Sequence, residues 1–553
     1  MIVAEVVGRT LAALGVDTVF GVVGSGNFHV TNALVDGGAR FVAARHEAGA
    51  ATMADAYARV SGKVGVVSVH QGPGLTNALT GLAEAAKSGT PLVVLAGEAT
   101  DTRSNFHIDQ SALATAVGAV PMRVDDAGSA IETTVQAYAT AIRDRRAVLL
   151  NLPLDVQRAD AGAAPDAAPA LPARKAGTLA RVWPDGGAEA LAWMLMRSER
   201  PVFVAGRGAR RARHQLEELA DLVGALLATS AAAKGLFHGN RWDLDVSGGF
   251  SSPLTAQLIR DADVLVAWGC SLNAWTTRHG ALIGPDTEVV QIDLDEESIA
   301  THQRVSLGLV GDVPEAAAAV ADALRPTGSR PSDPVPRGYH TRALADRIAA
   351  ERAWRNVPYK DESGNGRIDP RTLTIALDDL LPDERIVATD SGNFMGFPAM
   401  FLDVPDESGF CFTQGFQAIG LGLATAVGAA LARPDRLPIA ALGDGGALMG
   451  IAELETVVRL GLPMVIVVYD DEAYGAEVHH FAGHRLDTVT FPPTDLASIA
   501  RGHGCAAVTV SAVSDLDGVA TWLEGARDRP LLVHAKITRE RGSWWLEEAF
   551  RGH

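Results

Sequence analysis

Cysteine is scarce in this chain, with three in 553 residues. Cys270, Cys411 and Cys505 are too few and too scattered for a disulfide framework, and no paired spacing is present to hold zinc or run a dithiol couple. Positive charge is also short: Lys and Arg number 48 against 66 Asp and Glu, a formal net charge of −18. Nucleic-acid binders depend on cationic contacts with phosphate, so no nucleic-acid partner is expected. Long apolar runs are missing too. The longest, Ala418–Ala432, is rich in Gly and Ala and stops at Arg433. It falls short of the roughly 18–20 residues that span a bilayer, so no membrane partner is expected. The opening residues, MIVAEVVGRT, have no basic region ahead of an apolar core, and no signal peptide is expected. The expectation these absences leave is an acidic, cytoplasmic, multidomain enzyme.

At about 150 residues per domain the length suits three or four domains. Two stretches rich in Ala, Pro, Gly and Ser, Ala159–Gly177 and Pro326–Gly338, lack apolar periodicity and read as linkers. They predict domains at 1–160, 178–325 and 339–553. Strand-like apolar runs fall at 64–69 and 91–96, with the helical pattern Leu75–Lys87 between them. Others fall at 201–205, 264–268 and 289–292, then at 386–389, 438–442, 464–469 and 531–535. Short β runs separated by helices predict parallel sheets covered on both faces, hence three consecutive doubly wound α/β domains. The first and third are similar in size and pattern. Ligands of such sheets bind beyond the carboxyl ends of the strands, so the chemistry is sought there.

The run 438–442 leads straight into Gly443-Asp444-Gly445-Gly446. One strand–helix–strand unit later, 464–469 ends in Asp470-Asp471-Glu472-Ala473-Tyr474-Gly475. If the two strands pair, about 4.8 Å apart, Asp444 and Asp471 leave one sheet edge side by side. Two hard carboxylates suit Mg²⁺, which takes oxygen ligands at about 2.1 Å and commonly shares phosphate oxygens. The glycines let backbone N–H groups approach an anion, and a helix start adds partial positive charge. Read singly, Asp444 is as well a helix cap and the glycines a turn. The second acidic cluster favours the metal.

With this pattern the sequence resembles the thiamine-diphosphate enzymes of the acetolactate synthase, benzoylformate decarboxylase and 2-keto-acid decarboxylase group. The resemblance implies three domains: pyrimidine-binding, central Rossmann-like and diphosphate-binding. It implies Asp444, Asp471 and the carbonyl of Ala473 as Mg²⁺ ligands, with Gly443, Gly445, Gly446 and Tyr474 beside thiamine diphosphate. Asp470-Asp471 stands where Asn-Asn is common. Arg45-His46-Glu47-Ala48-Gly49 closes a strand (40–44) and opens a helix (48–60). In it Glu47 matches the glutamate that hydrogen-bonds the cofactor's aminopyrimidine and favours the tautomer that takes the C2 proton. Alone, Glu47 is simply a residue favoured at a helix start. Gly72-Pro73-Gly74-Leu75-Thr76-Asn77 resembles the first domain's glycine-rich loop, which makes Gly74 and Asn77 cofactor contacts. Asp390-Ser391-Gly392-Asn393-Phe394 resembles the loop near the diphosphate, implicating Gly392, Asn393 and Phe394. Gln414–Gly420 resembles the segment with an apolar wedge between the cofactor's rings, and Ile419 falls at the wedge. The resemblance also implies active sites shared between subunits of a homodimer or homotetramer.

On the substrate side stand Ser25, His70 and Gln110. Ser25 with His70 looks like the proton-handling pair of benzoylformate decarboxylase, work that suits a group titrating near neutrality; a structural His70 is the alternative. Gln110 matches a glutamine that acetolactate synthases hold near the substrate. The arginine-bearing stretch of biosynthetic acetolactate synthases is missing from Gly269–Trp275, with Arg278 close but displaced. Gly206-Arg207-Gly208 is too short a glycine signal for FAD, which is doubtful. His479-His480 and Trp544-Trp545 fall where the family folds over its substrate, the tryptophans serving equally as a lid or as interface packing. The expected reaction is decarboxylation of a pyruvate-like 2-keto acid and transfer of the acyl anion equivalent to a carbonyl acceptor. The alternatives are a non-ligating decarboxylase of benzoylformate type, a 2-hydroxyacyl thioester lyase and a non-catalytic homologue. Intact Glu47, Asp444, Asp471 and Ile419 count against the last.

Overall fold

The computed structural model describes residues 1–165, 167–172, 186–325 and 338–549. The expected linker Pro326–Gly338 lies, but for its last residue, outside the described residues, as do 166 and 173–177 of the other.

Among the described residues eighteen strands form three six-stranded sheets. The first holds β1 (Thr18–Gly21), β2 (Arg40–Ala43), β3 (Gly65–Val69), β4 (Leu92–Glu98), β5 (Val120–Arg123) and β6 (Ala147–Pro153). The second holds β7 (Pro201–Ala205), β8 (Leu226–Thr229), β9 (Asp243–Val246), β10 (Val264–Trp268), β11 (Glu288–Asp293) and β12 (Leu307–Val310). The third holds β13 (Arg385–Thr389), β14 (Phe410–Phe412), β15 (Leu437–Gly443), β16 (Val465–Asp470), β17 (Ala506–Val510) and β18 (Leu531–Lys536). All ladders between these strands are parallel. β3, β7 and β10 are buried along their whole length, because helices cover both faces of the sheets.

The first sheet runs β2-β1-β3-β4-β6-β5 and the third β14-β13-β15-β16-β18-β17, one topology used twice. In both, the order reverses beside the first strand, so the crevice for a ligand opens between β1 and β3 and between β13 and β15. The central sheet, β12-β11-β10-β7-β8-β9, has the Rossmann order with its reversal between β7 and β10.

The first and third domains share one apolar core, built on α1 (Glu47–Ser61), α2 (Pro73–Lys87) and α3 (Gly422–Ala432). Small residues make this possible. A Cβ built on Gly81 of α2 would lie 2.7 Å from the Ala51 Cβ, and one on Gly428 of α3 would lie 2.1 Å from the Met53 carbonyl oxygen. Inside this contact Arg59 lies 2.7 Å from both Asp55 and Glu84, and donates to the Phe412 carbonyl at 2.8 Å. The two carboxylates outweigh the burial of Arg59 and keep its guanidinium charged. From the central domain Arg210 donates to the carbonyls of Arg59 (2.6 Å) and Glu407 (2.5 Å), and Arg207 to that of Ser88. Among the described residues no helix is long and apolar enough to cross a membrane.

Candidate active site

In the third domain β15 and β16 pair with Gly443 opposite Tyr469. Asp444 and Asp471, each just past its strand end, therefore emerge side by side. They are 8% and 6% exposed. Burial, then the charges of Asp471 and Asp470, pushes Asp444 well above the usual carboxylate range; burial, then Asp470, does the same to Asp471. Asp470 is different. Burial raises it, but His534 Nε2 and Lys536 Nζ, both 2.6 Å from its Oδ2, together bring it below the usual carboxylate range. The β16–β18 register sets Lys536 directly opposite Asp470. Of the two acids that stand where Asn-Asn is common, Asp470 is thus neutralised from within, while among the described residues no ion pair reaches Asp444 or Asp471. That donor set fits a hard divalent ion. Among the described residues no three His, Cys, Asp or Glu side chains converge as a ligand group, so further ligands must be carbonyl, water or phosphate oxygens. Ala473 is buried at this turn, which Glu472 makes in the left-handed region (φ +58°).

Asp444, Gly445, Leu448, Met449, Tyr474 and Phe491 line a cleft of about 250 Å³. The Tyr474 ring covers Gly445, where a Cβ would come within 2.5 Å of it. Phe394 and Asn393, expected to touch the cofactor, turn inward instead. The Phe394 ring is buried under Gly392 and Gly443 and stacks on Tyr469 at 5.4 Å. Asn393 Oδ1 accepts the Ser543 N–H (3.0 Å) and hydroxyl (2.8 Å), and its carbonyl accepts Trp545 Nε1–H (3.1 Å). Both side chains support the loop from beneath.

The tryptophan pair packs against the central domain of its own chain. Trp545 is buried 5.3 Å from Trp275 and 6.2 Å from Phe250, joining the third domain to the central one. Arg278 lies 4.2 Å over the Trp544 ring and donates to Gly248 and Ser251. His479 is half-buried against Gly542, and burial lowers its pKa.

The other half of the site belongs to the first domain. Glu47 opens α1, whose cap is His46 Nδ1 accepting the Ala48 N–H at 3.1 Å. Its Oε2 accepts a hydrogen bond from Asn77 Nδ2 at 3.0 Å. A Cβ on Gly74 would stand 3.1 Å from the His70 Cβ and 3.5 Å from Glu47 Oε1. Glu47, His70, Gly74 and Asn77 therefore converge on one open face. His70 Nδ1 accepts the Gly26 N–H at 3.2 Å, so the proton of the neutral ring sits on Nε2. Burial holds His70 below its ordinary pKa, with Glu47 pulling the other way. Ser25 is exposed in the same Gly24–Gly26 turn.

Gln110 does not join them. It is buried, its Oε1 accepts the Gly72 N–H (3.0 Å), and its Nε2 donates to Gly97 (3.0 Å) and Asn151 (2.8 Å). Its amide ties the glycine-rich loop at Gly72 to β4 and β6. Sequence reasoning missed Glu453, whose Oε1 accepts the N–H groups of Arg45 (3.0 Å) and His46 (3.1 Å) and so fixes the turn into Glu47. Its signal was present in the acidic helix that follows the glycine motif. Among the described residues no hydrogen bond or ion pair links Glu47, His70 or Asn77 to Asp444 or Asp471. Ile419 is 37% exposed, and Phe28, Phe106, Phe416, Leu448 and Met449 are exposed as well.

Comparison with known proteins agrees with this geometry. Residues 1–116 match "Thiamine pyrophosphate enzyme, N-terminal TPP binding domain", residues 188–320 the central domain and residues 390–535 the C-terminal TPP binding domain of that family. The chain is 30% identical to a probable 2-ketoarginine decarboxylase, AruI, of Pseudomonas aeruginosa, over 92% of this chain and 89% of that protein. It is 26% identical to acetolactate synthase isozyme 2 large subunit of Escherichia coli, over 98% and 97%. It is 27% identical to sulfoacetaldehyde acetyltransferase of Alcaligenes xylosoxydans xylosoxydans, over 98% and 94%. With three parallel sheets, an acid pair past the ends of β15 and β16 and a glutamate past the end of β2, the chain belongs to the acetolactate synthase-like thiamine-diphosphate enzymes, which make and break carbon–carbon bonds.

Proposed function

We propose that the chain is a Mg²⁺-dependent carboligase or lyase that decarboxylates a pyruvate-like 2-keto acid and transfers the acyl unit to a carbonyl acceptor. The observation that carries this reading is the convergence of Glu47, His70, Gly74 and Asn77 on one open face. Likeness to acetolactate synthases and to an acetyltransferase across nearly the whole chain supports acyl transfer. Bound thiamine diphosphate supplies a thiazolium C2 nucleophile and a sink for the electron pair that CO₂ leaves behind.

The residues have distinct tasks. Asp444, Asp471 and the Ala473 carbonyl would hold Mg²⁺, and the backbone at Gly392, Gly443, Gly445 and Gly446 would meet the diphosphate. Glu47, oriented by Asn77, holds a proton at the pyrimidine ring. His70 offers Nε2 to the substrate, with Ser25 beside it, as proton donor and acceptor. Gly269–Trp275 has no arginine, and Arg278 is engaged by Gly248 and Ser251, so no cation from this loop greets the carboxylate of a second 2-keto acid.

The absence, among the described residues, of any hydrogen bond or ion pair from Glu47, His70 or Asn77 to the acid pair, together with exposed apolar residues, supports a homodimer or homotetramer in which one subunit completes the site of the next. Three buried, unpaired cysteines support a reducing, cytoplasmic setting. A flavin is not part of the proposal. At the β7/β10 edge, where a Rossmann sheet takes a dinucleotide, the Gly208 N–H donates to Gly269 at 3.2 Å, and a Cβ on Gly206 would lie 2.1 Å from the same oxygen. Backbone fills that crevice.

A second reading, release of a free aldehyde without ligation, is favoured by the Ser25/His70 turn and by likeness to the 2-ketoarginine decarboxylase. Product analysis with pyruvate, with and without an added aldehyde, separates the two. A hydroxyketone formed only with the aldehyde supports ligation. Free acetaldehyde alone in both assays transfers the assignment to the decarboxylase, and no consumption of pyruvate sinks the donor assignment.

A further inference from the structure

The loop Thr413–Gly422, which carries Ile419, hangs between two buried carboxylates. At one end Glu84 of α2 accepts the N–H of Gly415 at 2.9 Å and of Phe416 at 2.6 Å, while Arg59 holds the same carboxylate at 2.7 Å. At the other end Asp390, at the close of β13, accepts the Gly420 N–H with both oxygens, at 3.1 and 2.9 Å. The N–H groups of Leu421 and Gly422 point to the same carboxyl, and that of Ser391 lies 2.8 Å from Oδ1. Asp390 is 1% exposed, and no ion pair reaches it among the described residues. Only N–H donors stabilise its charge.

The loop needs such anchors. Gln417 (φ +60°) and Gly420 (φ +89°) are both left-handed, and the first has a side chain that disfavours this conformation. Phe416 and Ile419 are 45% and 37% exposed, so packing does not hold the stretch between the anchors. Asp390 also touches the turn that follows Asp444: a Cβ on Gly446 would lie 2.4 Å from its Oδ2.

We propose that Asp390 and Glu84 are positioning residues that fix the two ends of the Ile419 loop and thereby set where Ile419 meets the cofactor. The last step rests on Ile419 being a cofactor contact, as the proposed function has it. Asp390→Asn keeps the size of the side chain but turns an amide N–H₂ toward backbone donors.

Hydrogen–deuterium exchange on the cofactor-free protein tests the anchoring. Asp390→Asn should speed exchange of residues 415–423 by about tenfold or more while β13 and β15 keep the parent's protection. Unchanged protection of that loop would overturn the proposal. A double-mutant cycle tests the action through Ile419, read as C2-proton exchange of bound thiamine diphosphate at saturation. Asp390→Asn should slow exchange in the parent but add less than about twofold in the Ile419→Ala background. Full additivity would overturn it. If Asp390→Asn does not fold, Glu84→Gln is read in the same two assays at Gly415–Phe416. A parent that binds no thiamine diphosphate defeats the cofactor reading, and the exchange data on the free protein still decide the anchoring.

Discussion

Glu47 shows how one residue type serves two purposes. A glutamate at a helix start is favoured by the helix dipole whatever else it does. What separates the purposes is Asn77, which comes from another element and donates to its carboxylate at 3.0 Å. Glu47→Gln keeps the shape and the hydrogen bond but cannot exchange a proton. The variant should fold and bind cofactor, yet exchange the cofactor's C2 proton about 10²-fold or more slowly, in the range for lost acid–base work; quenched-flow NMR at equal saturation measures this. His70 allows a pH test. Burial lowers its pKa, so the folded ring is neutral at pH 7 and protonates only below its ordinary value of 6.5. Its contribution to stability is complete above that value and is lost as pH falls toward the depressed pKa. Turnover should fall on the same acidic limb. His70→Ala should cost about 10²–10⁴ in turnover and remove that limb from the pH–rate profile. An active variant that keeps the limb and merely melts earlier would make His70 structural.

At the scale of elements, the contact of α1 with α3 fuses the first and third domains. It depends on Gly428, where a Cβ would stand 2.1 Å from the Met53 carbonyl oxygen. That neighbour is helical backbone and cannot swing aside. Gly428→Ala should therefore destabilise the protein by about 1–3 kcal/mol, the usual cost of overpacking, despite the better helix propensity of alanine. Urea unfolding with an unchanged slope would register it, and a stabilised variant would mean that the helices can separate freely.

At the scale of the whole molecule, the first domain presents Glu47, His70 and Asn77 and the third presents Asp444 and Asp471, with no hydrogen bond or ion pair between the two groups among the described residues. If one copy completes the other, lesions in opposite halves should complement. Glu47→Gln and Asp444→Ala homo-oligomers should each be inactive, the latter because it would lose a proposed Mg²⁺ ligand. Random mixing of subunits makes about half the dimers hybrid, with one intact site in two, so about a quarter of parental activity should return. Steady-state turnover of the co-expressed pair measures this, and no recovery would mean that each chain builds its own site.

Much of this organisation could be read from the residues alone. Apolar runs split by helical patterns predicted the strands at 64–69, 264–268 and 438–442, and glycines and acids at strand ends marked the ligand edges, because both signals are local. The strand pairing inferred between 438–442 and 464–469 is the β15–β16 ladder, and it brings Asp444 and Asp471 together. The inward turn of Asn393 and Phe394 was not legible, nor was the commitment of Gln110, because a sequence does not say which partner satisfies a buried polar group. The same applies to Asp470, whose neutralisation depends on His534 and Lys536 a strand away in the sheet. The sequence by itself determined which chemical groups stand at the ends of the strands. The tertiary structure decided which of them stay free to act, because that depends on long-range pairing, burial and the hydrogen bonds already spent inside the fold.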